Sequence, residues 1–243
     1  MSKVYTDTVT STEASQDLTL GGSGDNVIVT AGATLKTNTI KDSGGNTIWT
    51  SDGSGNLSSV NAALGGNMVL LSTQTASNAA SASFISGIDS TYKLYIFKFY
   101  DVNPATDDAH FTFQANATDS TSYDETITSA TFAAEHTESG EGVAMVAYDT
   151  GPDQTQGTAF QVLAKNVGNG GDESGAGELF LFNPSNTTYV KHFYGTMQYY
   201  YSSDRSARVF TAGYINTTTA IDDIQFKMST GNMDAVIKMY GVG

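Results

Sequence analysis

Three histidines, His110, His136 and His192, are the first residues to weigh for acid–base or metal chemistry, and they stand far apart in the sequence. None opens an H-x-H or H-E-x-x-H spacing, the patterns that bring two imidazoles to one ion, so a structural role is expected for all three. Glycoside hydrolysis needs two carboxyl groups held on either side of a scissile bond. Asp101, Asp107, Asp108, Glu135, Glu138 and Glu141 supply the residue types. They fall in segments that read as polar loops, where acidic residues are ordinary, and a catalytic pair is disfavoured. A serine nucleophile of the hydrolase kind would sit in G-x-S-x-G, which the chain lacks. The run Asp101-Val102-Asn103-Pro104-Ala105-Thr106-Asp107-Asp108 offers oxygens that could hold calcium. It has neither the spacing nor the glycine of an EF-hand loop, and a plain turn is favoured.

The glycine-rich stretch Gly21 to Gly24 is not a phosphate cradle, because no Gly-Lys-Ser/Thr follows it. No cysteine occurs, which removes disulfides, thiolate metal sites and thiol nucleophiles together. The expectation is a protein that is not an enzyme and has no cofactor, with no catalytic, cofactor-binding or metal-binding residue assigned. What remains is a surface candidate. Tyr199-Tyr200-Tyr201 with nearby Arg205 and Arg208 combines amphipathic rings and cations suited to sugar or protein surfaces. Strand alternation puts Tyr199 and Tyr201 on one face and Tyr200 on the other, so at least one face is expected to be core. Tyr199, Tyr201, Arg205 and Arg208 are taken as the candidate binding residues.

The elements that position them are strands. In 243 residues glycine is abundant and proline scarce, while 13 tyrosines and 12 phenylalanines carry a large share of the apolar mass. Residues 1–17 are polar and read as an arm that orders on a partner. From residue 18 to 64, short apolar groups such as Val27 with Val29, Leu35, Ile40 and Ile48 recur between turns such as Asp42-Ser43-Gly44-Gly45-Asn46. Strands this short do not make a stable monomeric sheet, so copies must cooperate. A thin β-prism or β-helical stalk, most simply of three chains, is expected there.

From Gly65 on the strands lengthen. Met68 to Leu71 is the first, and Lys93 to Tyr100 is apolar on both faces, as in a strand covered on each side. Phe111, Phe113 and Ala115 alternate with polar residues, as in a half-buried strand. Further strands are expected at Ala144 to Tyr148, Ala159 to Ala164, Leu179 to Phe182, His192 to Tyr200, Ala207 to Tyr214, Ile224 to Met228 and Val236 to Tyr240. Glu135 to Gly142 and Gly168 to Gly177 read as long polar loops. The fold class is all-β: an arm (1–17), a turn-rich oligomerising stalk (18–64) and a jelly-roll-like antiparallel β-sandwich head (65–243).

The formal charge of −14 is spread along the chain, and Arg205 and Arg208 are the only arginines. Little cationic surface is left for phosphate backbones, so nucleic-acid binding is not expected. No stretch approaches the roughly 20 apolar residues of a membrane helix, and Met1 to Asp7 lacks a signal-peptide core, so no membrane insertion is expected.

Asp52-Gly53-Ser54-Gly55-Asn56-Leu57-Ser58-Ser59-Val60-Asn61 and Leu70-Leu71-Ser72-Thr73-Gln74-Thr75-Ala76-Ser77 resemble segments of structural proteins of marine tailed bacteriophages. So do Ser86-Gly87-Ile88-Asp89-Ser90-Thr91-Tyr92 with the following Tyr95-Ile96-Phe97, and the terminal Ile237-Lys238-Met239-Tyr240-Gly241. The resemblance covers about residues 40 to 100 and the terminus, and its motifs are architectural. It implies a virion surface location, after synthesis in the host cytoplasm, and a stalk-plus-head build. The expected protein is a homotrimeric tail or head fibre or spike, docked on other virion proteins by its arm and presenting the head to a host glycan or protein. The alternative is a capsid decoration or cement protein, and a polysaccharide depolymerase tailspike is disfavoured.

Overall fold

The structure, a computed structural model, describes residues 39–51, 54 and 57–60 and, from 68 onward, all but 141 and 143. The expected arm and residues 18–38 of the expected stalk lie outside the described residues. The chain divides into two compact units, Met1–Asn61 and Ala62–Gly243. Every regular element among the described residues is a strand, as the all-β class requires.

In the first unit β1 (Thr39–Lys41), β2 (Thr47–Ser51) and β3 (Leu57–Val60) form an antiparallel meander whose backbone register pairs Ile40 with Trp49 and Trp49 with Val60. Chemistry fixes the turn between β1 and β2. Asp42 Oδ1 accepts hydrogen bonds from the amides of Gly44 (2.9 Å) and Asn46 (2.8 Å), while Gly45 takes φ +82°, which glycine adopts at no steric cost.

The second unit is one continuous antiparallel assembly folded into two layers. The larger layer runs β4 (Met68–Ala79), β16 (Met233–Val242), β6 (Leu94–Pro104), β12 (Gly175–Phe182), β13 (Lys191–Tyr201), β14 (Arg205–Ile215) and β8 (Ile127–Thr137). Two strands share the far side of β8: β9 (Ala144–Tyr148) and β10 (Thr155–Gly157). The smaller layer runs β11 (Gln161–Val167), β7 (Ala109–Ala117), β15 (Ile221–Met228) and β5 (Ala82–Phe84). A single pair, Val167 with Tyr201, joins β11 to β13, so the layers curl toward a barrel. The final strand, β16, lies between β4 and β6, which ties the C-terminal segment into the sheet.

Packing between the layers is dominated by rings. Phe226 of β15 has five neighbours, Phe84, Phe97, Phe99, Phe111 and Phe113, at centroid distances of 5.1 to 6.3 Å. Most of these pairs are tilted or edge-on, the arrangement that ring quadrupoles favour. β7 differs from the half-buried strand expected, because Thr112, Gln114 and Asn116 on its other face are buried too. Gln114 Nε2 donates to the carbonyls of Glu125, Thr158 and Ala159, and these crossing loops cover the small layer.

β8 is the strand that hydrophobic alternation does not reveal. Its inward residues include Thr131 and Ala133, both buried, and the Thr131 and Thr211 hydroxyls meet at 3.2 Å inside the sheet, while the large Phe132 points outward. Glu135–Thr137 therefore end a strand rather than open a loop, and Gly175–Gly177 begin β12. Asp101–Pro104 likewise belong to β6, with Asp101 at φ +52° beside slips of register against both neighbouring strands.

Two segments distant in sequence, residues 86–92 and 237–241, meet in space. Tyr95 Oη accepts from the Asp89 amide at 2.8 Å and donates to the Asp89 carbonyl at 3.0 Å, which pins the Gly87–Tyr92 turn. The Tyr92 ring then lies on Gly241, where a Cβ would come within 2.4 Å of it.

Replacing Phe226 by alanine opens a void at the centre of the ring cluster and is expected to cost about 3–5 kcal/mol. Chemical denaturation reads this as a lower midpoint with an unchanged slope. Gly241→Ala, a single added methyl, is expected to lower the midpoint as well.

Candidate functional site

Alternation along β13 and β14 sorts their residues into two sets. The odd-numbered side chains, among them Phe193, Met197, Tyr199, Ala207 and Val209, are buried between the layers. The even-numbered ones stand on the outer face of the larger layer. Register aligns Thr196, Phe210, Phe132 and Tyr148 in one cross-strand row, and Phe180, Tyr194, Ala212 and Ala130 in the next. Phe132 stacks on Phe210 at 4.8 Å and Phe180 on Tyr194 at 4.5 Å. Where the second row continues as alanines, the face sinks into a hollow of about 300 Å³ walled by Phe132, Tyr148, Tyr194 and Phe210. Tyr148 Oη donates to Asp153, which fixes the ring at its rim.

Phe182, 5.6 Å from Tyr194, leads from this face to a larger cleft of about 490 Å³. Its lining combines rings (Phe182, Tyr189, His192) with neutral polar groups (Asn183, Asn186, Thr188, Thr218) and carries no Asp, Glu, Lys or Arg. Tyr189 stands 69% exposed at its edge. Asn186 Oδ1 accepts from the amides of Thr188 and Tyr189, both at 2.7 Å, and so shapes the loop. Asn183 Oδ1 is buried without a hydrogen-bond partner.

Lys191 positions that cleft. It occupies an inward site on β13 and is completely buried, with Nζ donating to Tyr189 O and Thr217 O at 3.0 Å each, so one ammonium ties together the two loops that line the cleft. Burial lowers its pKa, and the nearby Glu125 carboxylate works against that. The strand expected from the sequence began at His192, which left Lys191 out; extending the alternation of Phe193, Gly195, Met197 and Tyr199 back by one step would have found it.

The four candidate binding residues do not form one patch. Tyr199 is core: its hydroxyl accepts from the Lys165 amide at 3.1 Å, and burial pushes the phenol pKa up. This corrects its assignment as a surface residue. Tyr201 lies on the same inward side, stacked on Tyr199 at 6.4 Å, with the Arg205 guanidinium 5.2 Å from its ring centroid. Arg205 also donates to Glu135 at 3.1 Å. Only Arg208 stands on the outer face, where its guanidinium lies 5.2 Å from the Phe210 ring. The outward tyrosine of the triplet is Tyr200, which donates to Asp204 at 3.1 Å.

The histidines stay apart in function as in sequence. His110 Nδ1 accepts from the Asn166 amide at 3.0 Å, His136 packs against Thr137 O, and His192 lines the cleft. Asp108, beside His110, accepts from Asn166 Nδ2 and from Ser202 Oγ, so that serine is bonded to the carboxylate and not to the imidazole. Glu141 lies outside the described residues. Among the described residues no three His, Asp or Glu side chains gather as metal ligands, and no helix is long and apolar enough to cross a membrane.

No protein family matches the chain, and neither a curated protein nor a solved structure matches it.

Burial lowers the His110 pKa below the 6.5 of a free imidazole. As pH falls, the unfolded chain takes up that proton first, so stability is full above 6.5 and declines as pH drops through it. The raised Glu125 carboxyl contributes the opposite slope at lower pH. Melting temperatures recorded between about pH 7 and 5 are expected to fall more steeply for the native chain than for His110→Gln. Equal slopes would exclude His110 as the cause.

Proposed function

We propose that this chain is a non-enzymatic virion structural protein of a tailed phage, a fibre- or spike-like surface appendage whose β-sandwich head makes the attachment. Synthesised in the host cytoplasm, it docks by its N-terminal arm on other virion proteins, and the turn-rich segment before the head holds three copies together. The reading rests on the resemblance of the segments around Tyr92 and Gly241 to phage structural proteins, and these two segments pack on each other.

The observation that carries the attachment role is the run of exposed rings on a rigid sheet: Phe132, Tyr148, Phe210, Tyr194 and, at the cleft, Tyr189. Exposed rings clustered in this way mark an interaction surface, since the apolar area they leave in water is open to burial by a partner. Tyrosines suit the role because each offers a flat apolar face and a polar edge at small entropic cost. The cleft narrows the partner further. Its uncharged lining of rings, amides and hydroxyls matches a neutral sugar, which stacks its C–H face on Tyr189 and exchanges hydrogen bonds with Asn183, Asn186 and Thr188.

Labelled full-length protein is expected to be retained on host cells and on their isolated surface polysaccharide. Tyr189→Ala and Tyr194→Ala should each reduce retention about tenfold or more, the loss of an aromatic anchor covered by the partner, and Tyr189→Ala, at a ring 69% exposed, should do so without shifting the melting temperature. Binding to purified empty capsids in place of cells would overturn the attachment role and indicate a decoration protein.

A further inference from the structure

β9 has an open edge. Among the described residues it pairs with β8 alone, through an unbroken register from Phe132 with Tyr148 to His136 with Ala144. One step along that register, the Asp149 amide donates to Thr131 O at 2.9 Å. Alternation in an antiparallel ladder then turns the amides and carbonyls of Met145 and Ala147 toward β8 and those of Ala144, Val146 and Tyr148 away from it. Both faces of the strand are apolar and lie in water, with Val146 76%, Tyr148 62% and Met145 42% exposed.

Proteins usually blunt such an edge with lysine, proline, a bulge or brevity. Ala144-Met145-Val146-Ala147-Tyr148 contains no charge and no proline, and its pairing has no bulge. The other edges of the larger layer are interrupted. β4 exposes Met68 and Leu70 beside Thr73, Thr75 and Ser77, but it slips register twice against β16, and β10 has three residues and a slip.

We propose that β9 pairs with β9 of a second copy of this chain, antiparallel, about a two-fold axis through Val146. Laid antiparallel on itself, the strand sets Ala144 opposite Tyr148, Met145 opposite Ala147 and Val146 opposite its own copy, so that large side chains meet small ones on both faces. Val146 is one of the outward residues, so the axis passes through a hydrogen-bonded pair, and the outward amides and carbonyls of Ala144, Val146 and Tyr148 all find partners. The larger layers of the two copies become one sheet, and the row Phe210, Phe132, Tyr148 runs on into the second copy. A charge of −14 on each chain opposes the approach, so added salt strengthens the pairing.

Light scattering on the full-length chain, coupled to size exclusion at low and high salt, tests this beside Val146→Lys. The lysine projects into water in the single copy and sets like charges opposite each other at the axis, so an unchanged far-ultraviolet circular dichroism spectrum confirms the fold, while the melting point falls as far as association had raised it. β9 pairing alone gives a dimer that Val146→Lys reduces to a monomer. If the segment before the head also makes trimers, the native chain forms hexamers or larger even multiples that the variant reduces to trimers. A mass that Val146→Lys does not change, whether trimer or monomer, overturns the β9 pairing. The mass of the variant itself reports on the trimeric stalk, so the two readings fail separately.

Discussion

Everything in the second unit depends on the packing of one set of rings between two layers. Phe226 reaches from the small layer into a ring of phenylalanines contributed by β5, β6 and β7. Once those side chains are committed inward, the two-residue period of a strand leaves no choice for their neighbours. On β13 and β14 it sends Tyr194, Phe210 and Arg208 outward by the same rule that buries Phe193, Val209 and Tyr199. The exposed aromatic face is thus the reverse side of the core, held on a sheet whose other face is immobilised by packing.

The same logic shows where polar residues serve the fold. Gln114 and Asn116 face away from the rings and are still buried, because loops cross over the small layer and their carbonyls accept from the two side-chain NH2 groups. Lys191 is buried on the inward side at the end of β13, where the ring cluster gives way to loops. Leaving an ammonium there without partners would be costly, and two carbonyls from two different loops take up two of its three N–H groups. A buried charge used as a tie between loops makes the cleft it organises a preformed one.

The sequence made much of the fold legible. Strands with large residues, continuous in β6 and alternating in β13 and β14, were readable to within a few residues, and β9 was placed with its observed ends. β8 was not, since Thr131 and Ala133 are too small to mark an inward face and Phe132 marks the outward one. Of the candidate site, the sequence showed that the tyrosine triplet divides between two faces but not which face was core. That depends on the register with β14 and on Lys165, whose amide meets Tyr199. The ring face built from Phe132, Tyr148, Tyr194 and Phe210 comes from four strands, and no local spacing brings those residues together before the sheet order is known.

Hydroxyl-radical footprinting of aromatic side chains on intact particles, compared with the free protein, tests most directly whether this face is presented outward. For a surface appendage, Tyr189 and Tyr194 react on the particle as they do in the free chain. Protection of both on the particle would contradict that and make the aromatic face the seat by which the chain lies on its capsid.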